Sequence, residues 1–304
     1  MNKKLLFRLV ALVTAMMCAL GMQAAEAYAN YTPSNTTLTF YYDNLRSSRT
    51  GTTYNLNTGS NSPDWKTDGT NASVTRVVFN PSFAEARPTT TYSWFANMEN
   101  LTEITGISYL NTSEVTHMGF MFYGCDKLTS VDVCHFNTAK VTSMSAMFRD
   151  CSSLTSLDLG GFNPSQVTHI NYMFFGCSNL HTIYAGNDWS TAAVTNSTDM
   201  FKYCTSLVGG LGTTYDENHI DAEYAHIDGG TSNPGYFSKK PSFLRGDVNG
   251  DNSVNIADVT ALINYLLTDD PTGINLDAAN CNQDGAVNIA DVTTLINFLL
   301  TDQW

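Results

Sequence analysis

The chain has 304 residues, of which 43% are hydrophobic and 12% aromatic, so it is long enough for two domains and can bury a sizeable core. It carries 15 Lys and Arg against 28 Asp and Glu, which gives a formal net charge of −13. This composition excludes a disordered chain, and the acidic balance without basic clusters argues against nucleic acid as a partner.

Residues 1–27 have the features of a secretory signal peptide. Three basic residues precede an apolar run over 9–20, and Ala25-Glu26-Ala27 is a cleavage site of the A-x-A kind. Cleavage there would start the mature chain near Tyr28. It would remove three basic residues and Glu26, so 12 basic and 27 acidic residues would remain, a net charge of −15. No later run approaches the ~20 apolar residues of a membrane span. We expect a secreted, extracellular protein, either free or held at the cell surface.

Residues 28–89 are predicted to cap one end of the segment that follows. Residues 37–42 and 74–79 are rich in β-branched and aromatic side chains, which is typical of strands, and a polar loop joins them. The terminal unit of a stacked array needs a modified outer face. A cap is therefore favoured over the alternative of a separate binding domain.

Residues 90–210 contain a repeated unit of about 26 residues. The Phe that closes its central motif stands at Phe95, Phe122, Phe148, Phe174 and Phe201. Three positions later come Met98, Cys125, Cys151, Cys177 and Cys204. One unit this short cannot bury its own apolar face, so successive units are expected to stack and share a core.

Each unit combines two spacings. Leu154, Leu157 and Leu159 alternate as in a strand, whereas Val141, Met144 and the Met147-Phe148 pair have helical spacing. The pattern predicts an α/β, leucine-rich-repeat-type solenoid with a strand and a short helix in each turn of about 26 residues. The Val-Thr-x-Met-x-x-Met-Phe-x-x-Cys-x-x-Leu units resemble the BspA-like leucine-rich-repeat surface proteins of bacteria. That resemblance implies a right-handed solenoid that binds a macromolecule, as in adhesion.

The cysteines leave two possibilities open. Stacking would align the four that share a repeat position, where a free thiol packs as a small apolar group. Adjacent parallel strands lie ~4.8 Å apart, within reach of a disulfide, so bridges between units are the alternative to the favoured buried thiols. Cys134 is expected on a strand outside this row, and Cys281 lies in the C-terminal segment.

The side chains between the leucines are predicted to face outward. On successive units they would form a shallow polar strip from Ser130, Asp132, Ser156, Asp158, Thr182 and Tyr184. Such a strip is a candidate contact surface for a protein or a glycan. A solvated sheet face that binds nothing is an equal alternative.

The period is lost after residue 210. Residues 211–238 keep several aromatic side chains and are predicted to cap the other end of the array. Residues 239–243 are polar and include a Pro, so they are predicted to be a linker between domains.

Residues 244–304 form a tandem duplication, because 254–269 and 287–302 agree at 14 of 16 positions. Each copy has the oxygen-ligand spacing of an EF-hand-type calcium loop, with a backbone carbonyl at position 7. The first loop offers Asp247, Asn249, Asp251, Ser253, Asn255 and Asp258. The second offers Asn280, Asn282, Asp284, Ala286, Asn288 and Asp291. Asn280 replaces an Asp, so weaker calcium binding is expected at the second loop.

An amphipathic helix is predicted after each loop, from apolar residues at i, i+3, i+4 and i+7. Both loops close with Asp instead of Glu, and neither has an entering helix. The segment resembles a type I dockerin, an α-helical EF-hand-like module. The resemblance implies two Ca²⁺ sites, calcium-dependent folding and docking onto a cohesin-like or other surface protein. By alignment, the partner contact would use Ile256, Ala257, Asn264 and Thr268, and Ile289, Ala290, Asn297 and Thr301. Ile263 and Ile296 are expected to pack in the core.

Catalytic motifs are missing from the sequence. It has no G-x-S-x-G, H-E-x-x-H or P-loop pattern, and its six His are scattered. We therefore predict a secreted or cell-surface protein, not an enzyme, that binds a protein or glycan through its repeats and attaches through a calcium-dependent dockerin. The alternatives are a structural spacer in a dockerin-assembled complex and, less favoured, an enzyme acting on polysaccharide.

Overall fold

The computed structural model describes residues 24–186, 188–239, 243–282, 286–301 and 303–304. The chain divides into two compact units, Met1–Lys240 and Pro241–Trp304. The predicted signal peptide lies outside the described residues up to position 23, and its cleavage stays a prediction. Within the described part of the chain, no helix has both the length and the apolar character to span a bilayer.

A five-stranded mixed sheet begins the first unit. Its strands are β1 (Glu26–Thr32), β2 (Thr37–Asp43), β3 (Thr52–Asn55), β4 (Arg76–Phe79) and β5 (Glu103–Thr105). They lie in the order β3-β1-β2-β4-β5, with β1 antiparallel to β2 and β3 and the other pairs parallel. The strands predicted at 37–42 and 74–79 are confirmed as β2 and β4. One helical turn, α1 (Asp64–Thr67), buries Trp65 against this sheet region.

A second sheet has three parallel strands. These are β6 (Ser156–Leu159), β7 (Thr182–Ala185) and β8 (Phe237–Lys239), in that order. The first two belong to consecutive repeats, and the third comes from the segment predicted as a cap. Short 3₁₀ turns lie at Pro33–Asn35, Arg46–Ser48, Thr70–Ser73, Pro81–Glu85, Ile107–Tyr109, Ala222–Tyr224 and Gly230–Ser232.

The prediction of a leucine-rich-repeat-type solenoid is wrong. The described residues form two separate sheets, one mixed and one parallel, where the prediction required one continuous row of strands. The second repeat has no strand at residues 129–133. Over the described residues between α1 and position 255, no α-helix occurs, so the predicted short helix of each turn is also wrong.

Left-handed backbone conformations explain why the helical spacing of the repeats does not produce a helix. In the third repeat, Ala146 has a φ of 54° and Asp150 a φ of 57°, on either side of Phe148. An α-helix needs successive right-handed residues, so these two positions prevent one. The N–H of Phe148 donates instead to the carbonyl of Met173 in the next repeat, at 2.9 Å. Equivalent turns of neighbouring repeats are thus joined by hydrogen bonds.

The buried side chains of the repeats line up in two rows. Phe122, Phe148 and Phe174 stack with ring centroids 5.3 and 5.9 Å apart. Beside them, the Cys151 thiol donates to the carbonyl of Phe122 at 3.1 Å, and Cys125, Cys177 and Cys204 make the same contact one repeat apart. These four cysteines are free thiols, which was the favoured alternative. Burial raises the thiol pKa of Cys125, Cys151 and Cys177 well above its usual range. Cys134 lies in a turn, so its predicted strand is wrong.

One buried carboxylate organises the segment after the repeats. Asp228 is only 5% exposed. Its oxygens accept the N–H groups of Leu211 (2.8 Å), Thr213 (3.1 Å) and Gly230 (2.9 Å), and the hydroxyl of Thr213 (2.8 Å). Burial raises the pKa of Asp228, but these hydrogen bonds outweigh it and lower the pKa to about 2. The carboxylate therefore stabilises the fold in its charged form.

Replacing this carboxylate should destabilise the first unit in a pH-dependent way. We expect Asp228→Asn to lower the free energy of unfolding by about 2 kcal/mol at neutral pH, because charged hydrogen bonds are replaced by weaker ones. A depressed pKa gives stability that is complete above the unfolded value of about 4 and is lost as pH falls towards the folded value. The difference from wild type should shrink between pH 4 and pH 2 in urea titrations. The exposed Asp188→Asn is the control; an equal, pH-independent loss in both variants would contradict the assignment.

The second unit consists of helices and loops. Its helices are α2 (Ile256–Thr268), α3 (Leu276–Ala279) and α4 (Ile289–Thr301). The predicted amphipathic helices are confirmed as α2 and α4, which bury Val259, Leu262, Val292 and Leu295 around Cys281. Two expectations are wrong. Ile263 and Ile296 are each 38% exposed and lie outside this core, and α3 does enter the second loop.

Candidate calcium loops and docking face

Two buried carboxylates shape the first loop. Asp247 is 4% exposed and Asp258 is fully buried. The two oxygens of Asp258 accept the N–H groups of Asn249 (3.1 Å) and Asn255 (2.9 Å). Those of Asp247 accept two further backbone N–H groups of the loop, both at 2.9 Å. The loop is therefore folded around positions 1 and 12 of the predicted ligand set.

Asp258 also caps the helix that follows. Asn255 is the N-cap of α2, and Asp258, three residues later, accepts its N–H, which completes a capping box. In the second copy, Asp291 accepts the N–H of Asn282 (3.0 Å) and of Asn288 (2.8 Å). This second role was not predicted from the sequence. An Asn followed three residues later by an acidic side chain, just before an apolar helical stripe, could have indicated it.

The remaining predicted ligands are more exposed. In the first loop, Asn249 Oδ1 accepts the N–H of Asp251, and Asp251 Oδ1 accepts that of Ser253, both at 2.9 Å. In the second loop Ala286 is exposed, and Asp284 lies outside the described residues. Three or more His, Cys, Asp or Glu side chains do not meet at a common point anywhere in the described ranges. Amide and backbone oxygens are thus needed in the ligand set, as in EF-hand-type loops.

The charge of the second unit fits a bound cation. Residues 241–304 include nine Asp, one Arg and no Lys or Glu, a net charge of −8. Among the described residues, neither Asp247 nor Asp258 forms an ion pair with a basic side chain, while Asp291 interacts electrostatically with Arg245. Buried carboxylates without a counter-charge are costly to desolvate. A divalent cation would remove that cost.

An unpartnered oxygen marks position 1 of the second loop. The side-chain Oδ1 of Asn280 is buried and has no hydrogen-bond partner in the described part of the structure. A carbonyl-type oxygen in this state can serve as a ligand for a hard cation without first breaking a hydrogen bond. The residues of both loops therefore fit calcium, with one carboxylate fewer in the second.

The predicted partner-contact residues lie on the surface. All eight are exposed, and Ile256 and Ile289 are each 70% exposed. Leu267 and Leu300, each 78% exposed, also lie at the surface and were not predicted from the sequence. In α2, Leu267 falls on the same side as Ile256 and Ile263, since the spacings of seven and four residues match the helical period. The signal was a second apolar stripe beside the core stripe.

The predicted polar strip of the first unit is brought together in part. Ser156 pairs with Thr182, and Asp158 with Tyr184, in adjacent strands β6 and β7. Ser130 and Asp132 are exposed but belong to no strand. The carboxylates of Asp132 and Asp158 each accept a backbone N–H two residues ahead, at 3.2 and 2.8 Å. Both therefore serve as turn residues as well.

Two segments of the chain match known families. Residues 245–300 match the dockerin type I domain. Dockerin type I domains bind calcium, attach to cohesin-type protein partners and occur in extracellular proteins, so the second unit is called the dockerin module below. Residues 89–213 match the family described as "Mycoplasma protein of unknown function, DUF285". This match covers the repeats without showing a BspA-like leucine-rich repeat. Comparisons with curated proteins and with solved structures found no match.

Proposed function

We propose that this chain is a secreted, non-enzymatic protein that attaches to an extracellular, cohesin-type partner through its dockerin module and binds a macromolecule through its first unit. The dockerin match over residues 245–300 carries the proposal. Calcium bound at both loops would neutralise the buried carboxylates and hold α2 and α4 in place. The predicted signal peptide would export the chain.

The exposed apolar stripes supply the docking face. Ile256, Ile263 and Leu267 on α2 have the same exposures as their counterparts on α4, which are 70%, 38% and 78%. Large apolar side chains exposed to this extent mark protein contact sites. Because the two copies present the same residues, either helix could provide the central contact with the partner.

Binding to a purified type I cohesin domain tests the docking. We expect the full chain to bind an immobilised cohesin with calcium present and to dissociate when a chelator is added. Leu267→Asp or Leu300→Asp alone should reduce affinity only slightly, because the other copy remains. The double variant should lose on the order of 100-fold, since it places a charge in both apolar contacts.

A matched control comes from the first unit. Leu211 is 69% exposed, so Leu211→Asp makes the same chemical change outside the dockerin module and should leave binding unchanged. Full affinity of the double variant would overturn the assigned face. Binding that survives chelation would overturn calcium-dependent docking.

A further inference from the structure

A row of partly exposed rings crosses the repeats at the turns that flank the buried Phe row. Neighbouring rings within it touch edge to face, with centroid distances between 5.1 and 5.9 Å. Its members, here called the aromatic track, are Tyr92, Phe120, Tyr123, Tyr172, Phe175 and Tyr203. Contiguous rings that stay partly exposed in this way indicate a candidate binding site.

Arg149 closes the gap in the track at the third repeat, which has no ring of its own there. Its guanidinium lies 5.6 Å from the ring centroid of Tyr123, 5.2 Å from that of Tyr172 and 4.6 Å from that of Phe175. Such contacts are favourable cation–π interactions. The track is therefore continuous over the repeats.

Backbone strain is retained at three track residues. Phe120, Tyr172 and Tyr203 have φ values of 58°, 59° and 68°. This left-handed conformation is unfavourable for bulky residues and suits glycine, which occupies the position equivalent to Tyr203 in two other repeats as Gly124 and Gly176. The same turn position holds Ser93, Ala146 and Asp199 in the other repeats, so a bulky ring is not required by the fold at Phe120 and Tyr172. Rings kept at such strained positions point to a use for the ring itself.

The track leads to a cavity. The N–H of Tyr203 donates to the hydroxyl of Tyr215 at 3.2 Å. Tyr215 and Tyr224 line a cavity of about 680 Å³, together with the polar side chains of Asp216 and Asn218. Apolar rings and convergent polar groups therefore continue beyond the last repeat.

The charges along the track argue against an anionic ligand. Arg149 pairs with Asp150 at 3.2 Å, and Lys202, which lies over Tyr203, pairs with Asp199 at 3.4 Å. Each of these cations is already matched by a carboxylate. A polyanion would moreover approach a chain with a formal net charge of −13.

The backbone beneath the track argues against an extended peptide. The N–H of Phe120 donates to Ser145, and that of Tyr172 to Thr198, at 2.9 and 3.0 Å. A peptide that adds a strand needs unpaired donors and acceptors at an edge. Here those donors are already used between repeats.

We propose that the aromatic track and the adjoining cavity bind a neutral polysaccharide chain. The C–H faces of successive sugar rings would pack on the electron-rich faces of the aromatic rings. Sugar hydroxyls would form hydrogen bonds with Arg149 and with the polar groups of the cavity. The inference rests on the proposed macromolecule binding of the first unit, and it places that binding on the turns instead of the polar strip of β6 and β7.

Affinity electrophoresis of the full chain tests the inference. The gels contain β-glucan, xyloglucan or arabinoxylan, with polygalacturonate and gelatin as anionic and protein probes. We expect retardation by at least one neutral polysaccharide. A triple variant, Phe120→Gly, Tyr172→Gly and Tyr203→Gly, should lose at least tenfold in affinity while staying folded, because glycine favours the left-handed backbone. Ala146→Gly, at the position equivalent to Phe120 and Tyr172 but without a ring, is the matched control and should bind as wild type.

The possible failures are distinguishable. Retardation only by polygalacturonate or only by gelatin would overturn the neutral polysaccharide while leaving macromolecule binding in place. Polysaccharide binding that the triple variant keeps, but that Tyr184→Ala abolishes, would overturn the track and assign the polar strip. Migration unchanged by every probe would overturn both this inference and the proposed binding by the first unit.

Discussion

Removal of calcium is expected to unfold the dockerin module, Pro241–Trp304, while the first unit stays folded. Asp247 and Asp258 are buried without a basic partner among the described residues, so the first loop depends on a cation for its charge balance. Asp258 and Asp291 also cap α2 and α4, which links the loops directly to both helices. Small metal-dependent domains generally lose their fold when the metal is withdrawn.

Far-UV circular dichroism measures the unfolding of the dockerin module selectively. Helices α2 and α4 have 13 residues each, and they are the two long helices of the described chain. Chelation should therefore remove most of the helical signal, and added calcium should restore it. Retention of the helical signal in excess chelator would contradict calcium-dependent folding.

The two loops are expected to differ in affinity. Calcium titration of Asp291→Ala reports on the first loop, and that of Asp258→Ala on the second, where Asn280 replaces an acidic ligand. The second loop should bind calcium roughly tenfold more weakly, because it lacks one negative charge. The exposed Asp270→Asn, which removes the same charge outside both loops, is the control. Equal residual affinities of the two Ala variants would contradict the role given to Asn280.

The dockerin module was largely predictable because its signals are local. Loop spacing and the helical stripe act over a dozen residues each, so Asp258 and α2 could be placed from the sequence. The exposure of Ile263 and Leu267 could not be predicted from the sequence. A 3.6-residue period shows which residues share a side of a helix, but not which of two apolar sides faces the core.

The repeats were predictable in position but not in conformation. Their step identified the buried row through Phe148, because stacking requires equivalent residues to meet. The left-handed residues carry no such signature, since Ala146 and Tyr172 occupy the same conformation with unlike side chains. The pairing of β7 with β8 could not be predicted from the sequence either, because it joins residues more than fifty positions apart.

Truncation of one ring in the buried row is expected to give the largest loss of stability in the first unit. Phe148 is fully buried and stacks on Phe122 at 5.3 Å and on Phe174 at 5.9 Å. Phe148→Ala should lower the free energy of unfolding by about 3–5 kcal/mol, through lost apolar burial and the cavity left behind. Urea unfolding followed by tryptophan fluorescence measures it, because Trp65 and Trp94 are buried in the same core.

Phe175 provides a matched control one repeat further on. Phe175→Ala removes the same ring as Phe148→Ala, but the ring of Phe175 is only half-buried and belongs to the aromatic track. Its loss should cost about 1 kcal/mol, since water replaces most of the missing contacts and no closed cavity forms. Equal losses for the two variants would show that the buried row is no more important to stability than the surface. A large difference would mean that the track residues can be changed without unfolding the unit, which leaves the track available for binding.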